Sequence, residues 1–302
     1  MNTNRILKEK NQINIVLHDA KASNLKSVKK LENSPLNVID HYFQSFVGLH
    51  TIKKRLKEIY AVKLINDERQ KNGLPAEKQV LHMIFKGNPG TGKTTVARKI
   101  ASLFYDLNIL TKGHFIEAER ADLVGEYIGQ TALKTRNLIQ RALGGVLFID
   151  EAYSLARGGE KDFGREAIDT LVKHMEDYKN DFILILAGYP NEMDYFLEMN
   201  PGLASRFPFI HTFDDYTIEE LVSIAENFLH DRQYRLTNEA KWKLKHHLRK
   251  QLLRKEPHFA NARYVRNIVE KAIRAQSVRL VNAGKFAYND LIYIDVDDLD
   301  ID

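Results

Sequence analysis

The feature that most constrains this chain is the stretch GNPGTGKT at residues 87–94. It matches a glycine-rich phosphate-binding loop in full, and it follows a short apolar run and precedes an amphipathic pattern, where such a loop must lie. Its glycines let backbone N–H groups converge on anionic oxygens, and the N-terminus of the next helix adds partial positive charge. The sequence therefore predicts a strand, a phosphate-binding loop and a helix in succession, rather than a chance glycine loop.

Two side chains of this loop have distinct predicted tasks. Lys93 is expected to reach the β- and γ-phosphates of a nucleotide, and the Thr94 hydroxyl is expected to ligate Mg²⁺. The residues predicted to contact the nucleotide are Gly87, Asn88, Pro89, Gly90, Thr91, Gly92, Lys93, Thr94 and Thr95.

A second element, VLFIDE at residues 146–151, is an apolar run that ends in two acids. A buried strand would deliver Asp150 beside the phosphate-binding loop, where it can hold Mg²⁺ through water. Glu151 is placed to polarise an attacking water molecule, a general-base task worth roughly 10²–10⁴-fold in rate. An apolar run ending in acids is weak evidence alone, but paired with the loop it predicts nucleoside triphosphate hydrolysis.

Short apolar runs alternate with helical patterns through the middle of the chain. The runs predicted as strands are 80–85, 114–118, 146–150, 182–188 and 209–213, and the helical patterns are 41–72, 95–107, 131–143 and 163–178. Alternating elements with nearly continuous apolar strands are typical of a parallel sheet covered by helices on both faces. We therefore predict an α/β domain, a five-stranded parallel sheet between helices, over residues 41–213.

After Asp214 the alternation stops and only helical patterns follow. Thr217 and Glu220 form a capping-box pattern that opens a helix, and Thr237 caps a second helix running to about residue 254. A third helix is predicted over 261–281, closed by Gly284. The sequence thus predicts a small all-α domain over residues 214–286.

The flanking segments differ in charge. Residues 1–40 are predicted to form a basic, loosely ordered arm, and residues 287–302, with six aspartates and no lysine or arginine, an acidic tail. The net charge of +5 is most simply a lysine-rich surface, since no basic stripe with stacking aromatics marks a nucleic-acid module. We expect no nucleic-acid partner.

Composition excludes several other classes. The chain has no cysteine, which rules out disulfides and thiolate zinc sites. No apolar run approaches the roughly 18 residues of a membrane span, and the N-terminus does not read as a secretory signal. We expect a cytoplasmic protein.

Longer strings carry a resemblance to a known family. GNPGTGKTTVAR, ADLVGEYIGQTALKT, GGVLFIDEAYSL, ILAGY, NPGLASRF and HFANARYVRN make the chain similar to AAA+ ATPases, and more narrowly to the CbbX/SpoVK group, over about residues 40–285. The resemblance implies an AAA+ P-loop domain followed by a helical lid, with ATP and Mg²⁺ as ligands. It also implies a homo-hexameric ring whose assembly ATP promotes.

The resemblance assigns two arginines to the phosphates. Arg206 matches the finger that a neighbouring subunit supplies, although spacing alone would favour a surface arginine in an ion pair. Arg263 matches the second sensor, which reaches the γ-phosphate from the lid of the same chain, and Arg266, one turn on, is the alternative.

Two further positions follow from the same comparison. Many AAA+ proteins place asparagine or threonine after the fourth strand to position the attacking water, and here Tyr189 falls near that position. This departure leaves the identity of the first sensor open. Phe46, Val47 and Gly48 resemble the segment that cradles adenine, although a simple turn into a helix explains them nearly as well.

The string GEYIGQT at residues 125–131 resembles a pore loop. By this resemblance Tyr127, Ile128 and Gly129 form an aromatic–aliphatic–glycine tip that points into a central pore and grips an extended peptide. The alternative is a loop whose Tyr127 packs locally. A second pore loop is expected within residues 156–164.

We therefore expect an ATP-driven remodeller that threads or tugs an unidentified client protein. The motifs resemble the sporulation branch of the group most closely, with a red-type Rubisco activase-like remodeller as the alternative. A nucleotide switch that controls assembly without threading is the second alternative, and the exposed aromatic at the loop tip favours the remodeller over it.

Overall fold

A computed structural model of the chain describes residues 34–127, 129–157, 162–254 and 259–301. Contacts group the chain from Ile39 onward into one unit, and the interactions below belong to it. Most of the arm predicted for residues 1–40 lies outside the described residues.

The sheet has the predicted form. Its strands are β1 (Met83–Gly87), β2 (Phe115–Ala118), β3 (Val146–Ile149), β4 (Ile183–Gly188) and β5 (Phe209–Phe213). All pairings are parallel and the order is β2-β3-β4-β1-β5, so the predicted five-stranded parallel sheet is confirmed. Every residue of β3 and β4 is buried, as expected for strands covered on both faces.

The first strand begins later than predicted. Pairing with β4 and β5 starts at Met83, so residues 80–82 of the predicted strand lie outside it. The reason is local: the buried imidazole of His82 accepts the Leu184 N–H through Nδ1 at 3.0 Å. A side chain therefore satisfies a group that a longer strand would have paired through the backbone.

Helices of the α/β domain cover both faces of the sheet. They are α1 (Asn37–Tyr42), α2 (His50–Lys71), α3 (Lys93–Asp106), α4 (Arg120–Leu123), α5 (Gln130–Ala142), α6 (Gly164–Asp177), α7 (Pro190–Glu198) and α8 (Pro201–Ala204). The helical pattern predicted over 41–72 is two helices, because Gly48 (φ 70°) and Leu49 (φ 63°) take left-handed conformations that break it. The short α7 and α8, each opened by a proline, were not predicted.

The lid contains the three predicted helices, α9 (Ile218–His230), α10 (Asn238–Leu253) and α11 (Asn261–Ala283). The capping box is confirmed: the Glu220 N–H donates to Thr217 Oγ1 at 3.2 Å, and the Thr217 N–H donates to Glu220 Oε2 at 2.9 Å. The Ala240 N–H donates to Thr237 Oγ1 at 3.2 Å, and Gly284 (φ 64°) ends α11 as predicted.

The prediction of a separate acidic tail at 287–302 is wrong. This segment forms α12 (Tyr288–Ile292), β7 (Tyr293–Ile294), which pairs with β6 (Arg235–Leu236), and a 3₁₀ turn at Val296–Asp298. Ile294 and Leu299 are buried in the core of the lid. Asp298 is only 1% exposed, and Arg279 holds both of its oxygens at 2.7 Å. A compensated carboxylate can be buried, so a run of aspartates did not require a solvated tail.

The buried apolar side chains of the described residues include one large cluster in each domain. One fills the space between the sheet and the helices of the α/β domain, and the other holds α9, α10, α11 and the C-terminal segment together. Within the described ranges, no helix is both long and apolar enough to span a membrane.

Candidate active site between the sheet and the lid

The phosphate-binding loop runs from the end of β1 to the start of α3, as predicted. Gly90 (φ 72°) and Gly92 (φ 96°) take left-handed conformations. A Cβ at Gly90 would lie 2.1 Å from the Ala260 carbonyl oxygen, and one at Gly87 would lie 2.7 Å from the Phe213 carbonyl oxygen. Glycine is therefore required both for backbone conformation and for close approach by neighbouring chain.

Lys93 lies within the curve of its own loop. Its Nζ donates to the carbonyl oxygens of Gly87 at 2.7 Å and Asn88 at 2.9 Å. Burial lowers the pKa of Lys93, and the nearby Asp150 carboxylate opposes that shift. The cation is thus held close to the acids at the end of β3.

The acids follow β3 directly. The Asp150 N–H donates to the Ala118 carbonyl at 3.1 Å, and the Glu151 N–H donates to Asp150 Oδ1 at 2.9 Å. Glu151 has φ 45° and ψ 45°, a left-handed conformation that is uncommon for a residue other than glycine. Backbone strain of this kind clusters at functional sites, which agrees with the predicted role of these acids.

A cleft of about 660 Å³ opens between the sheet and the lid. This volume lies in the range of small-molecule sites. The predicted site residues that line it are Val47, Pro89, Gly90, Gly92, Lys93, Thr94, Thr95, Asp150, Glu151, Tyr189, Arg263 and Arg266. Gly87, Asn88 and Thr91 form the loop itself rather than the lining, and Gly48 adjoins Val47 in the turn before α2. Folding therefore brings residues from five separate segments of the sequence to one cavity.

One end of the cleft is apolar and aromatic. Phe46, Tyr216, Ile224 and Phe228 line it together with Val47. Sequence reasoning found only Phe46 and Val47 of this group, because Tyr216, Ile224 and Phe228 are ordinary residues of a linker and a lid helix. The Arg266 guanidinium lies 5.0 Å from the centroid of the Phe228 ring, a cation–π contact that engages it at this end.

Tyr189 occupies the position after β4 where the first sensor was expected. It precedes Pro190 at the start of α7 and lines the cleft. Its ring stacks on Tyr153 with centroids 5.9 Å apart, and burial raises the pKa of Tyr153 to about 12. Tyr189 is therefore held by an aromatic neighbour.

Arg206 lies apart from this cleft, although it too is in the described part of the chain. Its Nη1 donates to the Gly202 carbonyl at 2.5 Å, and its Nε is 3.6 Å from Glu176 Oε2. The side chain is about one-third exposed, at 31%. Within one chain, Arg206 makes the surface ion pair that spacing alone would favour.

The loop at GEYIGQT has an anchored base and an exposed tip. The Gly125 N–H donates to Thr131 Oγ1 at 2.9 Å, and Thr135 Oγ1 donates to the Leu123 carbonyl at 3.2 Å. Tyr127 is 67% exposed, and Gly129 (φ 81°) turns the chain into α5. Local packing of Tyr127 is therefore not observed. Ile128 and residues 158–161 of the second expected loop lie outside the described residues.

The site also uses residues that carry no motif signal. Asp215 and Tyr216 in the linker and Asn261 at the start of α11 bond to the phosphate-binding loop or to each other. Asn261 stands in the string HFANARYVRN, but nothing in its type or spacing indicated this role.

In the part of the chain that the structure describes, no three His, Cys, Asp or Glu side chains are grouped closely enough to hold a metal ion. Among the oxygens that line the cleft are the Thr94 hydroxyl at the end of the loop and the carboxylates of Asp150 and Glu151. This donor set suits Mg²⁺, which is typically held by one or two protein oxygens together with substrate phosphates and water.

Comparison with known proteins agrees with this geometry. The description "ATPase family associated with various cellular activities (AAA)" matches residues 83–214, and "AAA lid domain" matches residues 217–302. The latter range includes the C-terminal segment that packs into the lid.

Similar proteins were found at high coverage. Stage V sporulation protein K of Bacillus subtilis is 53% identical over 97% of this chain and 95% of its own. The chloroplastic ribulose bisphosphate carboxylase/oxygenase activase of Cyanidioschyzon merolae is 45% identical over 87% of this chain and 90% of its own. Protein CbbX of Cereibacter sphaeroides is 47% identical over 82% of this chain and 80% of its own.

A solved structure supports the fold independently. A RuvB mutant from Thermotoga maritima superposes with a TM-score of 0.53 at 21% identity, covering 82% of this chain and 68% of the other. The phosphate-binding loop and the acids after β3 lie within the residues of the AAA match, and the helical lid lies within those of the lid match. The chain belongs to the AAA ATPase family, within the group that contains stage V sporulation protein K and the CbbX and CfxQ proteins, and it hydrolyses ATP.

Proposed function

We propose that this protein is a ring-forming ATPase of the sporulation protein K type, which uses ATP hydrolysis to remodel a client protein. The observation that carries the proposal is the convergence of the loop, the acids, Tyr189 and Arg263 on one cleft. Identity and coverage are both higher for the sporulation protein than for the Rubisco activase, which supports the sporulation type over the alternative.

Within the cleft, the chemistry is divided among the residues that line it. Lys93 and the N–H groups of the loop hold the phosphates, and the aromatic end around Phe46 and Val47 holds the base. Thr94 and Asp150 hold Mg²⁺, which neutralises phosphate charge when bound. Glu151 accepts a proton from the attacking water, and Tyr189 donates a hydrogen bond that orients it.

Two arginines complete the site from different chains. Arg263 meets the γ-phosphate from the lid of the same chain, and it is favoured over Arg266 because Arg266 is engaged by Phe228. Arg206 acts on the neighbouring subunit, a proposal supported by its position outside the cleft of its own chain. A site that needs a neighbour requires a closed ring, which we propose to be a hexamer whose assembly ATP promotes.

Client contact is assigned to the tip of the GEYIGQT loop. A bulky aromatic that is 67% exposed between two glycines has no use in the core of its own chain. A ring of such tips, with Tyr127, Ile128 and Gly129 from each subunit, grips an extended segment of a client by apolar contact.

The test measures three quantities for the parent and for Tyr127→Ala. They are the particle mass with and without ATP, the ATPase rate, and complementation of a Bacillus subtilis strain that lacks stage V sporulation protein K. We expect ring assembly with ATP and hydrolysis in both proteins, and complementation by the parent alone. Tyr195→Ala, which removes another exposed tyrosine, is the matched control. If Tyr127→Ala complements fully, the assembly switch without threading replaces the remodeller.

A further inference from the structure

The start of helix α11 is joined to the phosphate-binding loop by hydrogen bonds rather than by apolar packing alone. Its first residue, Asn261, is fully buried and has φ 45°, a left-handed conformation that asparagine tolerates better than most residues. The Ala262 N–H donates to the Gly90 carbonyl at 3.1 Å, and a Cβ on Gly90 would collide with Ala260. The lid helix therefore begins in backbone contact with the loop.

Both polar atoms of the Asn261 side chain, Oδ1 and Nδ2, form hydrogen bonds in this contact. Its Oδ1 accepts the Tyr216 N–H at 3.0 Å. Its Nδ2 donates to Asp215 Oδ1 at 2.7 Å and to the Phe259 carbonyl at 2.8 Å, with the Pro89 carbonyl at 3.4 Å. An amide supplies an acceptor oxygen and an N–H donor group from two separate atoms of one uncharged side chain.

Asp215 links Asn261 to the phosphate-binding loop. Both of its oxygens accept from Asn88 Nδ2, at 3.0 and 2.9 Å. The hydroxyl of Tyr216 donates to the Thr91 carbonyl at 3.0 Å. Through these contacts the linker between the two domains is bonded to one end and to the middle of the phosphate-binding loop.

We infer that the chain Asn88–Asp215–Asn261, called here the lid latch, positions Arg263 for the γ-phosphate. Arg263 lies two residues after Asn261 and lines the cleft, so the orientation of the first turn of α11 decides where its guanidinium reaches. Because the latch ends on the phosphate-binding loop, a change in that loop reaches Arg263 directly. Asp215 and Asn261 are positioning residues, and the inference rests on the proposed role of Arg263.

The test compares affinities for Mg²⁺ with a non-hydrolysable ATP analogue and Mg²⁺ with ADP, by calorimetry on the full chain. Arg263→Ala is expected to weaken the analogue about tenfold or more and to leave ADP nearly unchanged, since it removes a charge-assisted contact to the third phosphate alone. Asp215→Ala is expected to produce the same selective loss. The double variant should lose no more than Arg263→Ala alone, because the latch acts through that arginine.

Asp215 is chosen because it is exposed, whereas a change at the buried Asn261 could unfold the lid. Asp214→Ala removes the adjacent exposed aspartate and is the matched control. The conservative variant Asp215→Asn keeps an acceptor oxygen for Asn261 Nδ2, and its new N–H groups pair with the Asn88 side-chain oxygen once that amide turns over. It should recover most of the selectivity that Asp215→Ala loses.

Three results are decisive. Equal losses for ADP and the analogue in Asp215→Ala, or losses that add to those of Arg263→Ala, would overturn the latch while leaving the role of Arg263 intact. If Arg263→Ala shows no selective loss of affinity for the analogue, both the proposed role of that arginine and the latch are overturned. Selective, non-additive losses with recovery in Asp215→Asn support the inference.

Discussion

The cleft between the sheet and the lid is built within one chain, whereas Tyr127 and Arg206 lie outside it on exposed segments. The cleft gathers Lys93, Asp150 and Arg263 around one cavity, and partial burial and two hydrogen bonds to the loop hold Lys93 in place. Tyr127 is largely exposed, and Arg206 bonds to the Gly202 carbonyl and pairs with Glu176 at the surface. Under the proposed function, nucleotide binding is a property of the subunit, while efficient hydrolysis and client work depend on assembly.

The largest expected effect lies inside the cleft. Glu151→Gln removes the carboxylate that accepts the proton but keeps the shape of the side chain. ATP hydrolysis should fall by about 10²–10⁴-fold, the usual worth of a general base, while ATP affinity is retained. Steady-state turnover and equilibrium binding measure the two quantities, and Glu239→Gln on the lid surface is the control. Turnover at the parent rate would exclude Glu151 as the base.

The next effect concerns the C-terminal segment, whose packing the sequence did not predict. Arg279→Ala leaves the buried Asp298 carboxylate without its cation. Breaking a buried pair in this way typically costs about 3 kcal/mol or more, so denaturant unfolding of the variant should show a correspondingly lower stability. Arg274→Ala, on the same helix, provides the comparison. An unchanged midpoint would mean that the segment behaves as the solvated tail first expected.

How far the sequence predicted the molecule depends on how locally each feature is encoded. The phosphate-binding loop and the acids after β3 carry fixed spacings set by phosphate geometry, so their position in the fold was predictable. Asp298 was misjudged because its partner, Arg279, is 19 residues away and no local pattern joins them. Asn261 and Asp215 were missed for the same reason, since their partners meet only when the lid folds back on the loop.

His82, which is buried immediately before β1, is expected to give a smaller, pH-dependent change in stability. Burial lowers the pKa of His82 to about 4, whereas in the unfolded chain it is about 6.5. As pH falls, His82 therefore takes up a proton in the unfolded chain before it does so in the folded one. The contribution of neutral His82 to the free energy of unfolding is complete above about pH 6.5 and is lost toward pH 4. His211 behaves alike, with a pKa lowered to about 4 by burial.

His82→Gln should remove part of this acid sensitivity. Between pH 7.5 and 5 its free energy of unfolding should fall by about 2 kcal/mol less than that of the parent, which is the linkage expected for one such histidine. Urea unfolding at the two pH values measures the difference. His246→Gln, which changes a histidine at an exposed position, is the matched control. Parallel losses in the parent and His82→Gln would show that His82 takes up no extra proton on unfolding.

The smallest expected effect on hydrolysis comes from the exposed loop. Tyr127→Ala should change the basal ATPase rate by no more than about twofold, because substitution of an exposed side chain usually alters free energies by less than about 0.5 kcal/mol. A large fall in basal hydrolysis, with assembly unchanged, would mean that the loop takes part in catalysis. It would contradict the distinction drawn between the cleft and the exposed segments.

The measurement that tests the contrast most directly mixes two inactive variants, Arg206→Ala and Lys93→Ala. Each is expected to hydrolyse little ATP alone. In a random equal mixture, about a quarter of the interfaces pair an intact loop with an intact arginine from the neighbour, since half of the chains satisfy each requirement. Hydrolysis should therefore reappear on mixing. If mixed rings are verified by mass and no ratio restores hydrolysis, Arg206 does not act across the subunit boundary.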